Sequence, residues 1–294
     1  MTVTRSEPVQ GEAGATGPEQ PAARRRRSRS LVRRYPTLIV SPLIALVALT
    51  AWVSAIEIFG VEPLILPPPL DVLDELWIML TGTELYRNLL VTVSEFGIGF
   101  VLGSVSAIIV AAVLVRIPPL EKGFSPYIIA FQNFPKIAIA PMLVTWFGFG
   151  MAPKIALATV LAFFPVFVNV IVGLKSSTRE QRDLMRMLQA SEWQTFRMLR
   201  VKVALPYIFA GLRVAAVFSL LGAITGEFIS SSQGLGYMLL QRNAQLHVDG
   251  VFALLVVMAA IGLAVHGILA LLNRKIIFWE DHDQAKRPAQ EESV

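Results

Sequence analysis

The sequence has no cysteine, only three histidines among 294 residues, and charged side chains at only 16% of positions. Without cysteine there is no disulfide, thiolate nucleophile or Cys-ligated metal, so thiol redox chemistry is excluded. No H-E-x-x-H pair is present, and His247 and His266 are too isolated to suggest a metal site. A G-x-x-x-x-G-K-[ST] run is also missing, so no loop of backbone amides and lysine can cradle nucleotide phosphates. Nor is there a G-x-S-x-G elbow for a serine nucleophile. These absences argue against an enzyme, and against a chain that hydrolyses ATP by itself.

What is abundant is apolar: 54% of residues, with a mean hydropathy of +0.61. That composition suits a bilayer rather than one water-soluble core. Crossing about 30 Å of hydrocarbon takes about 20 apolar residues at about 1.5 Å each. Six stretches qualify: Thr37 to Phe59, Leu89 to Val115, Phe124 to Phe147, Ile155 to Leu174, Ala204 to Phe228 and Val251 to Leu272. The sequence therefore predicts an all-α integral membrane protein with six transmembrane helices.

Basic residues set its orientation, because loops rich in lysine and arginine stay in the cytoplasm. Arg24, Arg25, Arg26, Arg27, Arg29, Arg33 and Arg34 precede the first span, whereas the connection from Gly60 to Asn88 carries only Arg87. Lys175, Arg179, Arg182, Arg186, Arg197, Arg200 and Lys202 lie between spans four and five, and Arg274 and Lys275 follow span six. Both termini and the loop after span four are thus expected in the cytoplasm. The net charge of +5 follows from this topology and from anionic headgroups, so no nucleic-acid partner is expected.

Residues 1–35, rich in Glu, Pro, Gly, Ala and Arg, read as a disordered basic cytoplasmic tail. A six-span membrane domain over 36–280 and a short cytoplasmic tail over 281–294 complete the expected organisation. Val53-Ser54-Ala55 faintly resembles an export cleavage site, but the preceding apolar run exceeds the roughly 7–15 residues of a signal core. An uncleaved first helix is the better reading.

The most informative stretch is polar. Between Thr178 and Leu199, apolar or small residues recur at Leu184, Met187, Leu188, Ser191, Thr195, Met198 and Leu199, spacings that define one helical face. Ala190 and Ser191 mark a break between two short helices, and Trp193 and Phe196 are the candidate anchors. Pattern alone favours an amphipathic connector at the membrane interface over a docking surface.

A resemblance reverses that preference. The segment resembles the cytoplasmic coupling loop of binding-protein-dependent ABC importer permeases, with Asp183-Leu184-Met185 at its acidic-Ala-Ala triplet, Gln189 at its glycine and Ala190 to Phe196 as the continuation. Ala204-Leu205-Pro206-Tyr207-Ile208-Phe209-Ala210-Gly211-Leu212-Arg213, Gly226-Glu227-Phe228 and Gly234-Leu235-Gly236-Tyr237 resemble permeases of the nitrate/sulfonate/taurine type. So do Phe131 to Pro141 and Trp146-Phe147-Gly148-Phe149-Gly150. Together they cover roughly residues 60 to 280.

The resemblance implies a type I ABC importer permease fold with a cytoplasmic coupling helix at about 178–200. It further implies cytoplasmic ABC ATPase subunits that bind the ATP, an extracytoplasmic solute-binding protein, a second permease copy, and a place in the cell (cytoplasmic/inner) membrane. Asp183, Gln189, Ala190, Ser191 and Trp193 are the ATPase-coupling candidates. No cofactor is expected in the chain itself. Three departures stand out: both triplet alanines are lost, glutamine replaces glycine at 189, and Lys202 stands where a proline is usual. Because glutamine is better in a helix interior than glycine by about 0.7–1 kcal/mol, the docking helix is expected to be longer or more continuous than in relatives.

Within the spans, Pro135, Pro141 and Pro165 each remove a helical hydrogen bond and predict kinks. Gly99/Gly103 and Gly222/Gly226 form small-xxx-small pairs suited to close helix packing. Leu66-Pro67-Pro68-Pro69 followed by Leu70 to Leu80 reads as an extended turn and a short outer helix able to brace a binding protein. Glu95, Lys136, Arg213, Glu227 and His266 are costly in lipid and are expected to face protein or water. Gln132, Asn133 and Glu227 are the pathway candidates; mutual ion pairing or snorkelling accounts for the ionisable groups equally well. The alternative to an ATP-driven importer is an ion-gradient-driven secondary transporter, which should show internal repeats that are not evident here.

Overall fold

The computed structural model describes residues 36–277. The tails expected over 1–35 and 281–294 lie outside the described residues. By contacts the chain divides into two units, 1–51 and 52–294. In the first, the described residues are helical and open α1, Pro36–Phe59, which carries Pro42 and no charge in its first or last turn.

The second unit holds the end of α1 and every later element. These are α2 (Pro69–Thr81), α3 (Glu84–Arg116), α4 (Pro118–Asn133), a 3-10 turn (Lys136–Ile139), α5 (Ala140–Phe147) and α6 (Met151–Lys175). After them come α7 (Arg179–Met187), α8 (Glu192–Thr195), a π turn (Phe196–Arg200), α9 (Val201–Ser230), α10 (Leu235–Ala244) and α11 (Val248–Ile276). No strand occurs among the described residues. Five helical runs are long and apolar enough to cross a membrane, and the α4–α5 pair makes six if counted as one span.

The core is built around α6, which packs along both α3 and α9. Small residues allow that approach. A Cβ at Gly99 would crowd Ala158, one at Gly103 would sit 2.6 Å from the Thr159 carbonyl oxygen, and one at Gly222 would sit 2.8 Å from the Ala158 Cα. Ala107, Ala111, Ala158, Ala162, Ala204 and Ala215 are fully buried in these contacts. Close backbone approach replaces the hydrophobic drive that lipid cannot supply. The expected packing role of the glycine pairs matches this geometry.

The expected third span is not one straight helix. Phe134 is extended (φ −68°, ψ 134°) before Pro135, as the clash with a following proline ring favours, and the two helical pieces are bent by 83°. Lys136 stabilises the break by donating to the Gln132 carbonyl at 2.8 Å while its ammonium lies 4.8 Å from the Phe164 ring centre. Pro141 interrupts nothing: it sits in the first turn of α5, where a missing N–H has no intrahelical partner to lose. α6 runs on through Pro165, whose carbonyl accepts from the Asn169 side chain at 2.8 Å.

The short helix expected after Pro69 is present as α2. Val72 and Met79 bury against Leu235, Met238 and Leu254, and Glu75 pairs with Arg242 of α10 at 3.2 Å.

Candidate functional site

Two regions at opposite ends of the bundle hold the candidate residues. The first joins the end of α6 to the start of α9. Thr178 opens α7 with a capping box: its hydroxyl accepts from the Gln181 N–H at 3.3 Å, and Gln181 Oε1 accepts from the Thr178 N–H at 3.0 Å. The helix ends at Leu188 in a Schellman motif. The Gln189 N–H donates to the Arg186 carbonyl (2.9 Å) and the Ala190 N–H to the Met185 carbonyl (3.0 Å), with Gln189 at φ +52°.

That corrects the expectation drawn from glutamine at 189. Gln189 adopts the left-handed conformation that glycine favours, and the break stays where a glycine would put it. Satisfying the last carbonyls of α7 outweighs the roughly 1–2 kcal/mol that a side chain costs in that region. Ser191 then restarts the helix with a second capping box, its hydroxyl accepting from the Gln194 N–H (3.2 Å) and Gln194 Oε1 accepting from the Ser191 N–H (2.8 Å). With Lys202 in place of a proline, α8, the π turn and α9 run on as one helical stretch, Glu192–Ser230.

The apolar face predicted for this segment is divided by the break. Leu184, Met187 and Leu188 are 57%, 83% and 67% exposed, while Thr195 is buried. Asp183 is half-buried and pairs with Arg186 at 2.9 Å; Gln189 and Ser191 are exposed and Ala190 half-buried. Trp193 stacks on Phe196 at 5.9 Å, and Arg116 at the end of α3 lays its guanidinium 4.4 Å from one ring centre and 4.7 Å from the other. The segment is thereby clamped to α3 as well as continuous with α9. Arg116 was missed in the sequence because it lies 77 positions from Trp193 and carries no local signal.

The second region lies at the other end, where Glu227 sits 1% exposed. Thr92 donates to its Oε1 at 2.6 Å and the Gly236 N–H to its Oε2 at 2.5 Å. The Gly234 N–H donates to Asn88 (2.7 Å) and the Leu235 N–H to the Thr92 hydroxyl (2.8 Å). Asn88, Thr92 and Glu227 thus satisfy the first free amides of α10, and the carboxylate faces the positive end of that helix. Gly234 is required twice over, by φ +109° and because a Cβ there would overlap the Glu227 carboxylate. Glu227 does not line the cavities of about 590 and 530 Å³ described next, and its hydrogen bonds hold the start of α10.

Gln132 and Asn133, at the α4 end of the broken pair, are both exposed. Gln132 borders a cavity of about 530 Å³ with Lys136, Pro165 and Asn169. A cavity of about 590 Å³ opens between the ends of α3, α6 and α9 and is bordered by Glu95 and Lys154, which form a buried ion pair. Lys154 escaped the sequence reading because the fourth span was drawn from Ile155, whereas α6 begins at Met151. Arg213 pairs with no carboxylate among the described residues and lies near His266 around a small void of about 50 Å³.

Residues 99–278 match the family described as binding-protein-dependent transport system inner membrane component. The chain is 31% identical over 255 residues to the riboflavin transport system permease protein of Chloroflexus aurantiacus, covering 86% of this chain and 95% of that protein. It is 30% identical over 251 residues to the formylaminopyrimidine transport permease protein of Halalkalibacterium halodurans (85% and 98%). To the taurine transport system permease protein of Escherichia coli it is 28% identical over 268 residues (87% and 96%). ATPase and solute-binding protein partners accompany this family, whose members are transporter components and not enzymes. With its helices built for a membrane and its glycine-packed core, the chain belongs to the binding-protein-dependent ABC permeases of the nitrate/sulfonate/taurine type, as the permease of an importer.

Proposed function

We propose that two copies of this chain enclose the pathway of an ATP-driven importer in the cytoplasmic membrane, with both termini and the 179–200 segment in the cytoplasm. The observation that carries the reading is the exposed apolar group Leu184, Met187 and Leu188 beside a doubly capped break. Three large apolar side chains held outward by rigid caps suit a protein groove. Lys175, Arg179, Arg182, Arg197 and Arg200 around them support a cytoplasmic location.

Asp183, Gln189, Ala190, Ser191 and Trp193 form or shape that docking surface. ATP binding closes the ATPase pair and draws the segment inward. Because α8 continues into α9 and Arg116 ties it to α3, the movement reaches both helices that pack on α6. The ATPase's differential affinity for two arrangements drives this population shift. Gln132 and Asn133 contribute to the pathway at the broken pair, while Glu227 holds the outer hairpin. The solute is a small polar organic molecule, in keeping with relatives named for riboflavin, formylaminopyrimidine and taurine. A solute-binding protein delivers it to the face formed by α2 and the α9–α10 turn.

The test is affinity purification of the intact complex carrying Met187→Glu and Leu188→Glu, residues outside both capping boxes. The wild type should retain a nucleotide-hydrolysing subunit and the double variant should lose it. Undiminished recovery of that subunit with the variant would overturn the docking assignment.

A further inference from the structure

We propose that the cavity of about 530 Å³ beside the broken α4–α5 pair holds the transported solute, and that it selects an organic anion, one acidic group on an apolar or aromatic body. This deepens the importer reading and rests on it. The cavity has the size of a small-molecule site.

Its charge and its depth point the same way. The Lys136 ammonium lies 4.8 Å from the Phe164 ring centre. Phe164 stands 13 residues after Met151 and 11 before Lys175, so the ammonium is held about 16–20 Å from either end of α6. At that height Gly211 of α9 packs on Pro165 and Asn169, and Val214, less than one turn further on, borders the cavity. A lysine whose only need was water would reach for a membrane interface, whereas this one is held at mid-height beside a cavity. Among the described residues no carboxylate lies within ion-pair distance of it. A second copy offers none at this height either. Glu95 and Glu227 are 0% and 1% exposed, and Glu57, Glu84, Glu121 and Asp249 stand in the end turns of their helices. Arg213, also without a carboxylate partner among the described residues, adds positive charge one residue before Val214. An uncompensated cation in low-dielectric surroundings attracts an anion strongly.

The donors and the walls define the rest of the solute. The lysine ammonium carries three donors, of which one goes to the Gln132 carbonyl at 2.8 Å. Asn169 donates one N–H to the Pro165 carbonyl at 2.8 Å and keeps a second. Both side chains border the cavity, and both residues are partly exposed. Phe134, Phe164, Val168 and Phe218 make most of the remaining wall apolar. An inorganic anion would leave those rings without a partner, and a neutral solute would leave the ammonium without one. A solute with an acidic group and an apolar body satisfies both.

The absence of native cysteine makes the test direct. Val214→Cys, and separately Val168→Cys in case the first variant does not assemble, are placed in the full complex in lipid nanodiscs and labelled with N-ethylmaleimide. The probes are ethanesulfonate, benzenesulfonate and benzoate as organic anions, benzamide as a neutral counterpart and nitrate as an inorganic anion. At about ten times its dissociation constant, at least one organic anion should slow labelling about tenfold by mass action. Benzamide and nitrate at the same concentration should not slow it, and Lys136→Gln should abolish the protection. Labelling that no organic anion slows, equal protection by benzamide or nitrate, or protection that survives Lys136→Gln would each overturn the inference. Recovery of the nucleotide-hydrolysing subunit is measured on the same samples, so a complex that keeps that subunit without protection fails on the solute site alone and not on the importer reading.

Discussion

Replacing Glu227 separates a structural role from a solute-contacting one. Its carboxylate accepts from Thr92 at 2.6 Å and from the Gly236 N–H at 2.5 Å. Charge-assisted hydrogen bonds of this kind contribute about 1.5–3 kcal/mol each, so Glu227→Ala should cost about 3–6 kcal/mol. Glu227→Gln keeps one acceptor, and Thr92 can turn to the Asn88 carbonyl 3.2 Å away. Its cost should therefore be about 1–3 kcal/mol. For a chain of this size, 1 kcal/mol moves the melting temperature by about 2–4 °C. Thermal unfolding of the purified complex in detergent should rank wild type above Gln and Gln above Ala, with solute uptake per folded complex largely kept in the Gln variant. If Glu227→Ala melted within about 2 °C of wild type, or if uptake vanished with melting unchanged, the hairpin-holding role would be refuted and the carboxylate would belong to the pathway.

Three further variants probe other contacts. Gln189→Gly should leave ATPase association intact and stabilise the turn by about 1 kcal/mol, whereas Gln189→Val should weaken association measurably, since a β-branched residue is strained at φ +52°; equal binding of the two variants would count against the turn's importance. Gly222→Val places side-chain atoms against the Ala158 backbone and should cost about 1–3 kcal/mol or more, read as reduced yield and melting temperature. Arg116→Ala removes contacts to two rings, with about 0.5–2 kcal/mol at stake, and should raise the ATP hydrolysed per solute moved; an unchanged ratio would show that the clamp does not carry coupling.

The spans and the polar coupling segment were legible because hydropathy and helical period are properties of contiguous residues. The caps at Thr178 and Ser191 were also readable in principle, since a Gln follows each three residues later. Gln189 misled because propensity describes a helix interior, whereas this residue sits where terminal carbonyls need partners. Pro135 announced a kink but not its size, which depends on how Lys136 and Phe164 close the break. Glu227 was recognised as costly to bury, but Thr92, its hydrogen-bond partner, lies 135 residues away. The Glu95–Lys154 pair was hidden for the same reason, compounded by a span boundary drawn just past Lys154.

The unbroken helical run from Glu192 to Ser230 has a mechanical consequence. At about 1.5 Å per residue its 39 residues make a rod about 58 Å long, nearly twice the hydrocarbon thickness. One end is the proposed docking segment and the other is the turn that walls the cavity of about 590 Å³. A tilt of about 5° about the inner end would swing the outer end by about 5 Å, the height of one helical turn. Lever geometry alone can thus convert a small displacement at the Glu192 end into a change of cavity width at the other, with no relay of side-chain switches in between.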